Sequence, residues 1–312
     1  MAGARRTGKV KPIMPLHPQS HRARNAVQLA LAGLLVIAAL NYNSILDEYA
    51  LASYRPTADI VGFESRVALT RAGRATLYRA QPKFDQKATF NTDCDTRPHE
   101  LELGCFYRGR IFVLRIDNAS LAPEMDVVGA HELLHAVWSK MGQTERAKLG
   151  AELERVYAVV GDADLKDRMA GYAKSEPGEE ANELHSILGT EFRQLSPLLE
   201  AHYAQYLAQR SQVVAEHAAY QAVFDSRKVE LEQELAQIRS KKAQLSTVNR
   251  QLEVYRANDQ VAAYNGLVSK QNALVDDINS RINRYRVGVD EYNALSASLD
   301  SQQITDTEAL AH

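Results

Sequence analysis

The sequence predicts an α+β fold dominated by helices: a mixed domain with a small β-sheet, then a long antiparallel helical hairpin. Three observations carry this expectation. Apolar residues recur at helical spacing in several stretches between residues 47 and 195, with matching start and stop residues. One segment, "CFYRGRIFVLRID" (105–117), is instead rich in β-formers around Arg108-Gly109, a two-residue turn signal. From residue 197 onward only Pro197 and the stretch "RANDQ" (256–260) interrupt a heptad-like pattern. The chain has 312 residues, 45% apolar and 24% charged, enough for two domains and at least one sizeable core.

Residues 1–25 carry Arg5, Arg6, Lys9, Lys11, Arg22 and Arg24, no acid, and prolines at 12, 15 and 18, as in a disordered basic tail. "AVQLALAGLLVIAAL" (26–40) follows, interrupted only by Gln28 and Gly33. It is shorter than the roughly 20 residues of a membrane span, but "NYNSIL" (41–46) extends it and Tyr42 suits an interface. The basic flank before it, and Asp47 and Glu48 after it, fit the positive-inside rule. The expectation is an uncleaved single-pass anchor over 26–46, with the N-terminus cytoplasmic and the remainder extracytoplasmic. A cleavable signal is the rival, against which stand the long basic region and the lack of an A-x-A-like site. A buried core helix is the plainer alternative. Cys94 and Cys105 flank the turn-rich "DTRPHELELG", so in an oxidising compartment they close a small disulfide loop; two free thiols are the alternative. A net charge of −2 gives no whole-chain argument for an anionic partner, and no nucleic acid is expected.

Element by element, a helix is expected over 47–72, with Ile60, Phe63, Val67 and Leu69 near one face and Gly73 as its stop. "RATLYRA" (74–80) reads as a strand, and 105–117 as a hairpin. A helix from Pro123 to Met141 has proline in its first turn, Glu124 and Asp126 at its positive end and Gly142 just past it. Further helices are expected over 143–160, in part of 165–175, and from Glu176 to Leu195 with Ser175 as cap. The boundary of this domain is set at 47–200. In 201–312, Leu231, Leu235, Ile238, Leu245 and Leu252 form one seam; Gln271, Val275, Ile278, Ile282, Tyr285, Val289 and Tyr292 form another. The hairpin tip falls near Asp259, and the second arm is roughly 60 Å long at about 1.5 Å per residue. Asn272, Asn279, Asn283 and Asn293 make it polar for a tight zipper. A protein partner or self-association through this coiled coil is one reading; packing within the chain is the other.

The chemistry lies in "VVGAHELLHAVWSKMG" (127–142). Residues four apart on a helix lie one above the other, so His131 and His135 can present both imidazoles to one ion. Glu132, one step round, reaches a metal-bound water without taking the metal. Zinc lowers the pKa of such a water from roughly 15.7 to about 7, and a glutamate removes its proton. The same string also arises in ordinary amphipathic helices with a solvated glutamate.

On this motif the sequence resembles the zincin metallopeptidases, and among them the glutamate-ligand gluzincins, over roughly residues 55–200. The resemblance implies a zincin-like fold, a Zn2+ cofactor, a peptide or protein substrate, and a third ligand on a second helix. "EEANELHSILGTE" (179–191) supplies an Asn-Glu-x-x-Ser setting, which implies Glu183 as that ligand. The 47 residues between His135 and Glu183 exceed the gap in thermolysin-like members, and Ile187 stands where an aspartate is often found. Glu180, Glu179, His185 and Glu191 stay open as alternatives, although His185 lies about 200° round the helix from Glu183. A solvated acidic face is the plainer reading of these carboxylates. Tyr172 and His185 are candidates to stabilise the oxyanion. The strand 110–116 is a candidate to line the cleft and pair with an extended substrate; a strand simply buried in the core is the alternative. His17, His21, His202, His217 and His312 read as surface residues.

The expected function is therefore that of a membrane-anchored zinc metallopeptidase with Glu132 as general base. The alternative is a non-catalytic, membrane-tethered coiled-coil protein with a peptidase-like head.

Overall fold

The computed structural model of the chain describes residues 8, 19–94 and 103–299, in two units, Met1–Tyr49 and Ala50–His312. Most of the expected basic tail, residues 95–102 between the two cysteines, and His17 and His312 lie outside the described residues; so does the side chain of His21. In the first unit the apolar run sits in helix α1 (Gln19–Leu40), followed by the start of α2 (Tyr42–Ser53). Leu29, Leu34, Leu35 and Leu40 are exposed. Among the described residues no single helix is long and apolar enough to cross a membrane. Arg24–Leu40 and Tyr42–Ser53, bent by 72°, pass that test only together.

The second unit is α+β and mostly helical. The expected helix over 47–72 is two elements, because Pro56 lacks the N–H that a continuous helix needs: α2 stops at Ser53 and α3 spans Ala58–Arg66. The segment expected as a strand at 74–80 is α4 (Arg71–Arg79). Its buried residues are Gly73, Ala75, Thr76 and Leu77, three of them consecutive, which is not the alternation of a half-buried strand, and the Thr70 hydroxyl caps it by accepting from the Gly73 N–H at 3.1 Å. Strand β1 (Lys83–Asp85) and helix α5 (Lys87–Asp93) follow, both too short to leave a periodic signal.

The expected hairpin is present as β2 (Gly104–Tyr107) and β3 (Arg110–Leu114). Its turn residues Arg108 and Gly109 both have positive φ, 50° and 78°, the geometry that matches a two-residue turn to strand twist. Strand order is β1-β3-β2, with β3 parallel to β1 and antiparallel to β2. Both edges of β3 are therefore occupied. It cannot add a substrate strand, which corrects that expectation; among the described residues, β2 has its outer edge unpaired.

Helix α6 (Glu124–Lys140) is the centre of the domain. On one side Val127, Ala130 and Leu133 pack with Phe63, Leu77 and Val113; on the other, Leu134 and Val137 pack with Leu153, Ile187, Leu188 and Tyr203. Around it stand α7 (Gln143–Val160), α8 (Ala163–Ser175), α9 (Glu180–Glu191) and α10 (Pro197–Tyr203). Gly142 does not close α6 in the left-handed region; it has φ −70° and ψ 157° and opens α7. Helix α9 starts at Glu180, not Glu176, because Pro177 and Gly178 turn the chain after Ser175.

Helices α11 (Arg210–Ala257) and α12 (Val261–Leu299) form the expected hairpin, with Asp259 at its tip in a left-handed conformation. Leu231 and Ile238 meet Tyr285, Val289 and Tyr292, while Val248 and Leu252 meet Leu274. The seams pack on each other within the chain, except that Val275 of the expected second seam is exposed and Leu274 is buried in its place.

The root of α11 is tied to the domain by two buried groups. Arg210 donates to the carbonyls of Phe192 (2.7 Å) and Arg193 (3.1 Å), capping the end of α9, and pairs with Glu200. His217 sits between Glu124 (Nδ1 to Oε1, 3.3 Å) and Glu191 (Nε2 to Oε2, 3.4 Å). His202 and His217 are consequently buried, not surface residues; the former hydrogen-bonds to His185. Burial disfavours the charged form of His217, but its hydrogen bond with Glu124 and the Glu191 charge outweigh this and raise its pKa. A raised histidine pKa stabilises the fold below the unfolded value of about 6.5, and this contribution is lost as pH rises through the folded value. Urea midpoints between pH 5.5 and 8.5 should therefore fall with pH, and His217→Gln should flatten that slope.

Candidate metal centre

Helix α6 places His131 and His135 one turn apart, with ring centroids 4.7 Å from each other. Helix α9 crosses close by. A side chain at Gly189 would overlap Leu134 and come within 2.7 Å of Tyr203, so glycine permits this approach. It brings the buried Glu183 carboxylate against both imidazoles: Oε1 is 3.4 Å from His135 Nε2, and Oε2 is 3.7 Å from His131 Nε2. Glu132 joins the two histidines in a group whose ligand atoms lie within 4.8 Å of one another, one that could hold a metal ion.

A second layer holds the first. His135 Nδ1 lies 3.0 Å from Asn182 Oδ1 and 3.3 Å from Ser186 Oγ. With its proton donated to Asn182, the Nε2 lone pair faces Glu183, which is the tautomer a metal ligand requires. Asn182 in turn donates from Nδ2 to Glu179 Oε2 at 3.1 Å. Asn182 thus fills the orienting role for which the sequence offered no aspartate at residue 187. Its signal was its place directly before Glu183, where its link to His135 is invisible until the helices cross.

Electrostatics bind the group together. Burial, reinforced by the neighbouring His131, pulls the His135 pKa down to about 4, leaving a neutral imidazole. For His131 burial acts in the same sense, but the Glu183 hydrogen bond and the Glu132 charge prevail and raise the pKa. Burial also opposes ionisation of Glu183, yet both histidines hold its pKa below the usual carboxylate range.

Of the other sequence candidates, Glu180 accepts from the Gly178 N–H at 2.9 Å, beside the turn before its own helix. Glu191 is held by both guanidinium nitrogens of Arg168, at 2.6 and 2.7 Å. His185 points into the core, its Nε2 2.9 Å from His202 Nε2 and its ring against Trp138; it therefore supplies neither a ligand nor an oxyanion donor here. Glu179 lines the cleft but is engaged with Asn182. Tyr172 also lines the cleft; burial and then the Glu183 charge push its pKa up, so it keeps its proton and can donate.

The cleft over the histidines has a volume of about 530 Å³. One wall is β2, and Cys94 and Cys105, joined by a disulfide as expected, tie the end of α5 to that wall. A larger groove of about 990 Å³ runs along the hairpin arms, but the group that could hold a metal ion lies in the smaller cleft. Comparison with protein-family models, with curated proteins and with solved structures finds no match for this chain.

Removing a partner that orients a ligating histidine typically weakens metal binding by about 10–100-fold. Asn182→Ala should show a loss of that size in chelator-competition titrations with a divalent transition ion, while the far-ultraviolet circular dichroism stays that of the wild type.

Proposed function

We propose that the chain is a membrane-anchored zinc metallopeptidase of zincin-like build. The observation that carries this reading is the Glu183 carboxylate 3.4 and 3.7 Å from two imidazole nitrogens, with Glu132 beside them. Nitrogen and oxygen ligands lie about 2.0–2.2 Å from zinc, so two ligands of a tetrahedral ion stand roughly 3.3–3.6 Å apart. His131, His135 and Glu183 are near that spacing. Two imidazoles and one carboxylate suit zinc, and three protein ligands leave a position open for chemistry.

Zinc, when bound, supplies a Lewis acid that makes a water acidic near neutral pH. In this reading the Glu132 carboxylate accepts the proton lost as water adds to the peptide carbonyl. It then delivers that proton to the departing amine nitrogen. Tyr172, kept as a phenol, donates to the carbonyl oxygen as it gains charge. The substrate is an extended peptide laid along β2. The Leu114 N–H bonds to the Leu103 carbonyl, so by antiparallel alternation the backbone groups of Gly104 and Phe106 point away from β3, out of the open edge.

The anchor rests on the exposed apolar residues of α1 and the basic residues before them. An extracytoplasmic site agrees with the disulfide. A tethered, non-catalytic interaction protein is the second reading, favoured by the groove along α11 and α12. A buried Glu132 beside two histidines favours the enzyme.

The full chain, purified in detergent, should contain close to one zinc per molecule, and His135→Ala should lose it. Glu132→Gln should retain the zinc while its cleavage of a peptide library falls by about 10²–10⁴-fold. Equal cleavage by that variant would remove Glu132 from the mechanism.

A further inference from the structure

The edge strand and the proposed base meet at a single residue. Gly104 opens β2, pairs with Val113 of the buried centre strand, and forms part of the cleft wall. A β-carbon added there would lie 2.8 Å from Glu132 Oε1 and 2.9 Å from Glu132 Cγ, and would overlap Val128 Cγ1. Real β-carbons essentially never approach other heavy atoms that closely, so something would have to shift. The backbone has little freedom to do so. Gly104 is held by its neighbours: the Leu103 carbonyl accepts from the Leu114 N–H, and Cys105, opposite Phe112 in the ladder, is fixed by its disulfide to Cys94. Val128 and Glu132 lie one turn apart on α6, whose buried faces are packed on two sides. The Glu132 carboxylate is the softest of these neighbours.

We propose that Gly104 is a positioning residue for catalysis: its missing side chain is the space in which the Glu132 carboxylate lies, between the substrate-binding edge and the two histidines. The proposal rests on the peptidase reading and deepens it. One residue then serves two purposes. Its backbone faces the extended substrate along the open edge, and its lack of a β-carbon sets where the base stands relative to that substrate. A methyl group at 104 would displace the carboxylate by an amount comparable to the overlap, and misplacement of a reacting group by about 1 Å costs on the order of 10²-fold in rate.

The test uses the full-length, zinc-loaded chain and a fluorogenic peptide that the wild type cleaves. Gly104→Ala is measured alone and with Val128→Ala, which removes the Val128 overlap and so keeps the variant foldable while leaving the methyl against Glu132. Val128→Ala alone is the control. The double variant should hold zinc at wild-type stoichiometry, with kcat about 100-fold lower and KM within about threefold, because substrate binding is intact and the base is displaced. The control should stay within about threefold of wild type in kcat. A double variant with near wild-type kcat would show that Gly104 serves packing against Val128 and overturn the proposal. Loss of zinc, or a rise in KM with kcat unchanged, would also overturn it, since the effect would then run through the ligands or the substrate strand. A wild-type chain that binds zinc and cleaves nothing would remove the peptidase reading and this proposal with it. An active wild type with an active double variant would remove the proposal alone.

Discussion

The Glu183 carboxylate, buried against His131 and His135, is the contact around which the domain is organised. It joins two helices, α6 and α9, which also pack through Leu134, Val137, Ile187 and Leu188 and whose close approach Gly189 allows. A buried carboxylate is costly unless it is neutralised or hydrogen-bonded, and two imidazoles with a cation between them would be a complete answer to that cost. The surrounding polar residues keep the helices in place. Arg210 caps the carbonyl end of α9, and His217 links the first turn of α6 to the last residue of α9 through Glu124 and Glu191. Arg168 pairs with Glu191 through both guanidinium nitrogens.

The hairpin therefore has a second role besides reach. Its root is part of the scaffold that fixes α6 and α9, because Arg210 and His217 both belong to the first turns of α11. Its arms satisfy their apolar seams on each other, with Tyr285 and Val289 buried against Leu231 and Ile238. What remains open on the arms is a groove lined by Leu231, Tyr285 and Val287 and bordered by charged residues of both signs, among them Arg227, Arg284 and Glu234. The disulfide makes a comparable contribution at the other side of the cleft, where Cys105 holds the short strand β2 to the end of α5.

Much of this was legible in the residues. His131, Glu132 and His135 are separated by helical steps, so their convergence follows from local geometry. The β2–β3 turn at Arg108-Gly109 and the tip at Asp259 were also local signals, carried by residues that tolerate or require positive φ. Glu183 was reached by resemblance, and its distance from the histidines needed the fold. The failures have physical causes. The segment 74–80 carries β-favouring Thr76 and Tyr78, but Ala75, Thr76 and Leu77 are all buried in a helix capped by Thr70, tertiary packing overriding propensity. The burial of His202 and His217 depends on partners at His185, Glu124 and Glu191, far along the chain, which no local spacing reveals. The same holds for Asn182 and Gly104, whose meaning lies in the His135 ring and the Glu132 carboxylate that tertiary packing brings to them.

The most direct test is the ligand set of the bound ion, read by X-ray absorption at the zinc edge on the wild type and on Glu183→Ala. The account predicts two imidazole nitrogens and carboxylate oxygen at about 2.0–2.2 Å in the wild type, with the protein carboxylate lost in the variant and both imidazoles retained. An unchanged spectrum in Glu183→Ala, or a sulfur ligand in either protein, would contradict it.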